Sequence, residues 1–265
     1  MPSLTTTTTI PDLDLESLVS VLPGLIQRIR TITFDGDDVA RLDGERREGL
    51  RLVDGTAGTP GSAYRIVLDT DEGQDHPDAR RAVTATLVTD DHHVIKVDVT
   101  AAEGNAIVEL ANPLRPQHVT AEATVTHAEV PVWFGRDIDA CATIDLPRLS
   151  AGHGQVFRAG LNTRWGTGNL EVELTRRPDR HEVTVTLAVR PRWMLAVGMV
   201  SWPFLRKRAQ AEFDRTVEKF VTDNGAELGE VVREWAARSE AERIELLWLE
   251  LKNSVAATAP EATSA

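Results

Sequence analysis

Hydrophobic and polar residues alternate over most of the chain between residues 31 and 190. A period of two is typical of strands with one buried and one exposed face, and clusters of Gly, Pro and Asp divide the pattern into short segments. The pattern therefore predicts an antiparallel meander. Its strands are predicted at residues 31–34, 49–53, 64–68, 82–89, 94–100, 106–110, 119–126, 138–144, 156–161, 169–175 and 181–190. Residues 90–93, 103–105 and 176–180 have the composition of hairpin turns.

Helical spacing of apolar residues is found at the two ends of this region. Residues 15–29 predict a helix that Asp14 caps and that Pro23 kinks or splits. A long helix is predicted over residues 203–222 and ends at Asn224-Gly225. Further helices follow, one carrying Trp235 and one carrying Trp248, and Ser239 with Glu242 forms a capping box before the second.

Together these elements predict an α+β fold. A large twisted antiparallel sheet packs around the long C-terminal helix, and a short N-terminal helix precedes the sheet. The low-complexity ends, residues 1–13 and 254–265, are predicted to be disordered tails. Residues 14–222 then form the sheet domain with its two helices, and residues 223–253 form a C-terminal helical extension.

Charge and cysteine content exclude several classes of protein. The chain has 29 basic and 41 acidic residues, a net charge of −12, which argues against nucleic acid as a partner. One cysteine, Cys141, excludes intrachain disulfides and cysteine-based zinc cages. Without a signal sequence or a run of 18 apolar residues, the sequence predicts a cytoplasmic protein that does not span a membrane.

Two pairs of polar residues stand two apart on predicted strands, His127 with Glu129 and Asp137 with Asp139. Residues two apart project from the same face of a strand, so each pair could perform acid–base chemistry. A half-solvated strand requires the same alternation, and this is the interpretation we favour.

Other chemistry-bearing residues also have structural interpretations. Cys141 is predicted to be a small core residue, His153 to lie in a flexible connection, and Ser201 lacks the glycine-framed elbow of hydrolases. Residues 90–93 (Asp-Asp-His-His) are predicted to be a hairpin tip instead of a metal site, and residues 166–168 (Gly-Thr-Gly) a wide hairpin instead of a phosphate loop. We therefore predict no catalytic residue, no metal and no cofactor.

Basic residues concentrate in the segment 190–208, which has no carboxylate and surrounds an apolar stretch at residues 193–205. This stretch is too short for a membrane-spanning helix, which takes about 20 residues. We favour a strand end and a turn that lead into a core helix, with the arginines extending outward, and an element at an anionic membrane surface and a protein contact are the alternatives. The predicted membrane-contact residues are Arg192, Arg206, Lys207 and Arg208, beside Arg190.

The order of elements over residues 155–222 resembles the helix-grip superfamily, the Bet v 1 and START-like lipid-binding domains. The resemblance rests on the terminal strand at 183–190, the exit Pro191-Arg192-Trp193 and the helix through Phe213, Val217 and Phe220. In that superfamily a long C-terminal helix lies across a curved antiparallel sheet and closes an apolar cavity. It opens with a strand and two short helices, whereas this sequence predicts one Pro-interrupted helix followed by many strands, too many for a single such domain.

The order of helix, sheet and long helix also resembles the tubular lipid-binding (TULIP) domains, with residues 18–29 as the first helix. Both resemblances imply a non-enzymatic carrier of an apolar ligand, and some helix-grip members are cyclases or hydrolases.

We accordingly predict that the protein binds or carries an apolar small molecule or lipid in a cavity between the sheet and the long helix. The predicted lining residues are Trp193, Met194, Met199, Trp202, Phe204, Phe213 and Phe220.

Two alternatives remain. In an assembly protein, Trp235 and Trp248 would form an exposed patch that binds another chain or a second copy. In a cyclase-like enzyme, His127, Glu129 or Asp139 would act inside the cavity, where a histidine and a carboxylate would lie within hydrogen-bonding distance.

Overall fold

A computed structural model describes residues 3–12, 14–68, 81–126, 137–192 and 203–255. Thirteen strands lie in these residues: β1 (Ser3–Pro11), β2 (Thr33–Phe34), β3 (Val39–Leu42), β4 (Glu45–Asp54), β5 (Ala63–Leu68), β6 (Arg81–Asp90), β7 (Val94–Ala101), β8 (Gly104–Ala111), β9 (His118–Thr126), β10 (Asp137–Asp145), β11 (His153–Thr163), β12 (Gly166–Arg176) and β13 (Arg180–Pro191). The helices are α1 (Leu15–Ser20), α2 (Leu22–Ile29), α3 (Leu146–Ala151), α4 (Pro203–Ala237) and α5 (Glu240–Ser254).

The chain divides into two compact units. Unit 1 comprises residues 1–20 and 116–239, and its strand order is β1-β13-β12-β11-β10-β9. Unit 2 comprises residues 21–115 and 240–265, with the strand order β8-β7-β6-β5-β4-β3-β2. Consecutive strands in each order are antiparallel. The predicted α+β class with a large antiparallel sheet is confirmed, as are all eleven predicted strands.

The prediction of a disordered N-terminal tail is wrong for Ser3–Pro11, which form β1. This strand pairs with β13, from Ser3 opposite Ala188 to Pro11 opposite Arg180. Threonine is a strong strand former because its branched Cβ fits the pleated backbone. The threonine hydroxyls also meet across the pair, at 3.3 Å between Thr5 and Thr186. The low-complexity threonine run therefore forms an ordinary strand.

The N-terminal helical region splits, as Pro23 predicts. α1 ends at Ser20 and α2 begins at Leu22, with Pro23 in its first turn. The predicted cap is also confirmed, since Asp14 Oδ1 accepts a hydrogen bond of 3.2 Å from the backbone N–H of Ser17. The chain thus opens with a strand and two short helices.

The long helix α4 extends beyond its predicted end and continues through Asn224-Gly225 to Ala237. An asparagine and a glycine each lower helix propensity, by up to about 1 kcal/mol for glycine. The packing of Trp235, which is buried, fixes the last turns of the helix and offsets that cost. α5 begins at Glu240, directly after Ser239, as the capping box predicts.

Unit 2 packs α2 and α5 against its sheet around Trp248, which is 1% exposed. Ala40, Leu42, Leu50 and Val255 complete this core. The helices α2 and α5 approach closely at Gly24, where an added Cβ would collide with the Ile244 side chain. No helix in the described ranges is long and apolar enough to cross a membrane.

Carboxylates of unit 2 are held ionised by cations, which predicts an acid-dependent loss of stability. A hydrogen bond from Lys252 on α5, at 2.9 Å, lowers the pKa of Glu45 on β4, and a hydrogen bond from Arg46 lowers the pKa of Glu48. A lowered pKa in the folded state stabilises the fold above the ordinary glutamate pKa of about 4.3, and this contribution is lost as the pH falls through the lowered value.

We expect the urea midpoint of Glu48→Gln to fall less than that of the wild type between pH 6 and pH 3. Glu103→Gln, in the exposed turn after β7, is the matched control and should follow the wild type. Equal acid sensitivity in all three proteins would contradict the assignment.

Candidate functional site

Strand register gives unit 1 one apolar and one polar sheet face. One row across the sheet runs Leu4, Leu187, Leu170, Ala159, Ala142 and Ala121, and the next runs Val189, Gly168, Leu161, Ala140 and Ala123. Side chains two apart along a strand share a face, so both rows belong to the same surface, here called the apolar face. The intervening positions form the polar face, which carries threonines, carboxylates and arginines.

Small residues make up the part of the apolar face that lies on β9 to β12 and are here called the alanine floor: Ala121, Ala123, Ala140, Ala142, Ala159 and Gly168. All of them are half-buried. Strands lie about 4.8 Å apart, so alanines on three neighbouring strands leave a shallow recess about 10 Å wide. A Cβ built at Gly168 would meet no described atom within 4 Å, which shows open space above this position.

The apolar face is closed at one end. There Leu15 of α1 packs with Val156 and Leu174 of the sheet, and all three are buried. Trp235, near the end of α4, is 7% exposed and donates its indole N–H to Ser17 Oγ at 3.0 Å. At the opposite end, Leu161 is 52% exposed and Val189 is 37% exposed. Burial therefore decreases along the strands from the α1 end to the Leu161 end.

The helix α4 lies against β1, the outermost strand of unit 1. The Gln210 side chain donates to the Thr5 carbonyl at 2.9 Å and accepts from the Thr5 N–H at 3.4 Å. Asp214, one turn later, accepts the other amide hydrogen of Gln210 at 2.7 Å. Gln210 thus occupies backbone groups that an open sheet edge would otherwise expose.

A histidine–carboxylate pair, with a buried imidazole and an exposed carboxylate, lies at the closed end and was not predicted. His181 is 1% exposed, and its Nε2 lies 3.0 Å from Asp12 Oδ1. Gly152, in the left-handed conformation at φ +62°, packs directly on the imidazole. Since His181 presents almost no surface, the pair joins the β1–α1 junction to β13 and does not meet the histidine–carboxylate criterion for a cyclase.

Most of the predicted ligand-binding side chains lie outside the part of the chain that the structure describes. Trp193, Met194, Met199 and Trp202 lie outside the described residues, as do the side chains of Phe204 and Arg206. Phe213 is half-buried, in the stripe of α4 that includes Gln210, whereas Phe220 is 68% exposed. Lys207 and Arg208 are exposed near the start of α4.

The polar pairs fall partly within the described residues. His127 and Glu129 lie outside them, as does Ser201. Asp137 and Asp139 share the polar face, where Asp137 accepts from Thr126 at 2.9 Å and Asp139 from Thr124 at 3.1 Å.

The prediction that Cys141 is a core residue is wrong, because its position in β10 places it on this exposed polar face. His153 opens β11 instead of lying in a loop, and Gly166 and Gly168 belong to β12, after a turn at residues 164–165. The tip at residues 90–93 is confirmed as the turn between β6 and β7.

The structure buries both tryptophans that the assembly alternative required on the surface. Trp235 is 7% exposed within unit 1, and Trp248 is 1% exposed within unit 2. These two residues therefore do not form the exposed patch that this alternative required, because each indole ring is buried within its own unit and donates its N–H to a partner there.

Comparisons with known proteins were made at the level of sequence and of structure. No protein-family model matches the sequence, and no curated protein matches it. Among solved structures, the crystal structure of Ara h 8.0201 is similar over 88% of this chain and 97% of its own, at 8% identity and a TM-score of 0.22. The crystal structure of the di-domain ARO/CYC StfQ from the steffimycin biosynthetic pathway is similar over 88% of this chain and 99% of its own, at 9% identity and a TM-score of 0.23.

The order of elements in unit 1 and at the start of unit 2 can be compared with the predicted resemblance to the helix-grip superfamily. A strand and two short helices precede the sheet, and a long helix follows it. The expected departure from the helix-grip order, a single helix at the start, is therefore wrong, because β1 was taken for a tail and Pro23 separates two helices.

Proposed function

We propose that unit 1 binds an apolar small molecule, or the apolar body of a lipid, on the alanine floor. The observation that carries this proposal is an apolar sheet face that is packed at one end and whose floor of small side chains is half-buried and open above Gly168. A ligand lying there removes apolar surface from water, which is worth about 25 cal/mol per Å². Recesses lined mainly by apolar groups are typical of small-molecule sites.

The location of the exposed side chains supports binding over catalysis. Leu161 and Val189, at the open end, would be covered by a ligand, whereas the His181 imidazole lies at the closed end and is buried. The helix-grip order of elements supports the same function, since that resemblance implies an apolar ligand between sheet and long helix.

Filling the open space at Gly168 tests the site directly. We expect Gly168→Leu to lower the affinity for the neutral fluorescent probe N-phenyl-1-naphthylamine by at least about tenfold, which is 1.4 kcal/mol, because the new side chain occupies the recess. Its stability should not fall, since a Cβ at this position meets no described atom within 4 Å and glycine weakens a strand. Probe titration and urea denaturation measure the two effects.

Thr167→Leu is the matched control, one residue away on the same strand and on the opposite face. It places the same leucine side chain on the polar face, in place of threonine, and should bind the probe as the wild type does. If both variants bind the probe like the wild type, or if both lose it equally, the ligand does not lie on the alanine floor.

A further inference from the structure

We draw no further inference here: the strongest candidate, the apolar face of strands β6 to β8 in unit 2 with its cross-strand row Leu87, Val97 and Val108, carries none, because nothing in the described ranges shows what covers it.

Discussion

Replacing Trp248 by alanine is expected to lower the free energy of unfolding by about 3–5 kcal/mol, the cost of removing a large aromatic side chain from a core. Trp248 is 1% exposed and packs with Ala40, Leu42, Leu50 and Val255 of unit 2. Its indole N–H donates to Asp43 Oδ2 at 2.7 Å, and the Arg28 guanidinium carbon lies 5.3 Å from the centre of its ring. Urea denaturation followed by circular dichroism measures the change.

Two further variants identify which of these contacts matters. Trp248→Phe keeps an aromatic ring in the core and loses the hydrogen bond to Asp43, so its stability should lie between those of the wild type and Trp248→Ala. Leu249→Ala truncates the next side chain, which is 50% exposed, and should cost well under 1 kcal/mol. A loss below about 1 kcal/mol in Trp248→Ala would show that α5 does not hold unit 2 together.

Gly152→Ala is expected to destabilise unit 1 by about 2–4 kcal/mol, from backbone strain together with overpacking. Gly152 ends α3 at φ +62°, a conformation that side chains disfavour. An added Cβ would also lie 2.6 Å from Cε1 of the buried His181. The imidazole would have to move, and its contact with Asp12 would be disturbed. Thermal unfolding measures the cost.

Gly154→Ala separates the two causes. Gly154 also has a positive φ, of +84°, but the nearest atom to its added Cβ is Arg148 Cδ at an ordinary 3.6 Å. The stability of this variant should therefore fall only by the cost of backbone strain, about 1 kcal/mol. Equal losses in Gly152→Ala and Gly154→Ala would mean that the packing on His181 contributes nothing.

The strands were predictable from sequence because each buries one face. Burial of one face requires hydrophobic and polar residues to alternate along the strand, and this alternation is visible in the sequence. β1 was missed because its threonines do not alternate with apolar residues, although their strand propensity was visible. α3 was missed although its signals are all present: the Asp145 carboxylate caps it by accepting a hydrogen bond from the Arg148 backbone N–H, Pro147 lies in its first turn and Gly152 ends it. Six residues were too few to interrupt the strand pattern.

The candidate site depended on contacts that no local pattern contains. Ala142 and Ala159 could each be placed on an apolar strand face, but only the pairing of β10 with β11 makes them neighbours. The His181–Asp12 contact joins residues that are far apart in the sequence, because the first strand pairs with the last. Large aromatic residues were predicted to line the site because they offer the most apolar surface, whereas the floor is made of small residues.

Native mass spectrometry of the full chain with equimolar dodecanoate tests the central claim most directly. The account predicts one bound dodecanoate on the wild type and on Thr167→Leu, and none on Gly168→Leu. A bare wild-type chain, or an adduct that persists in Gly168→Leu, would contradict an apolar-ligand site on the alanine floor of unit 1.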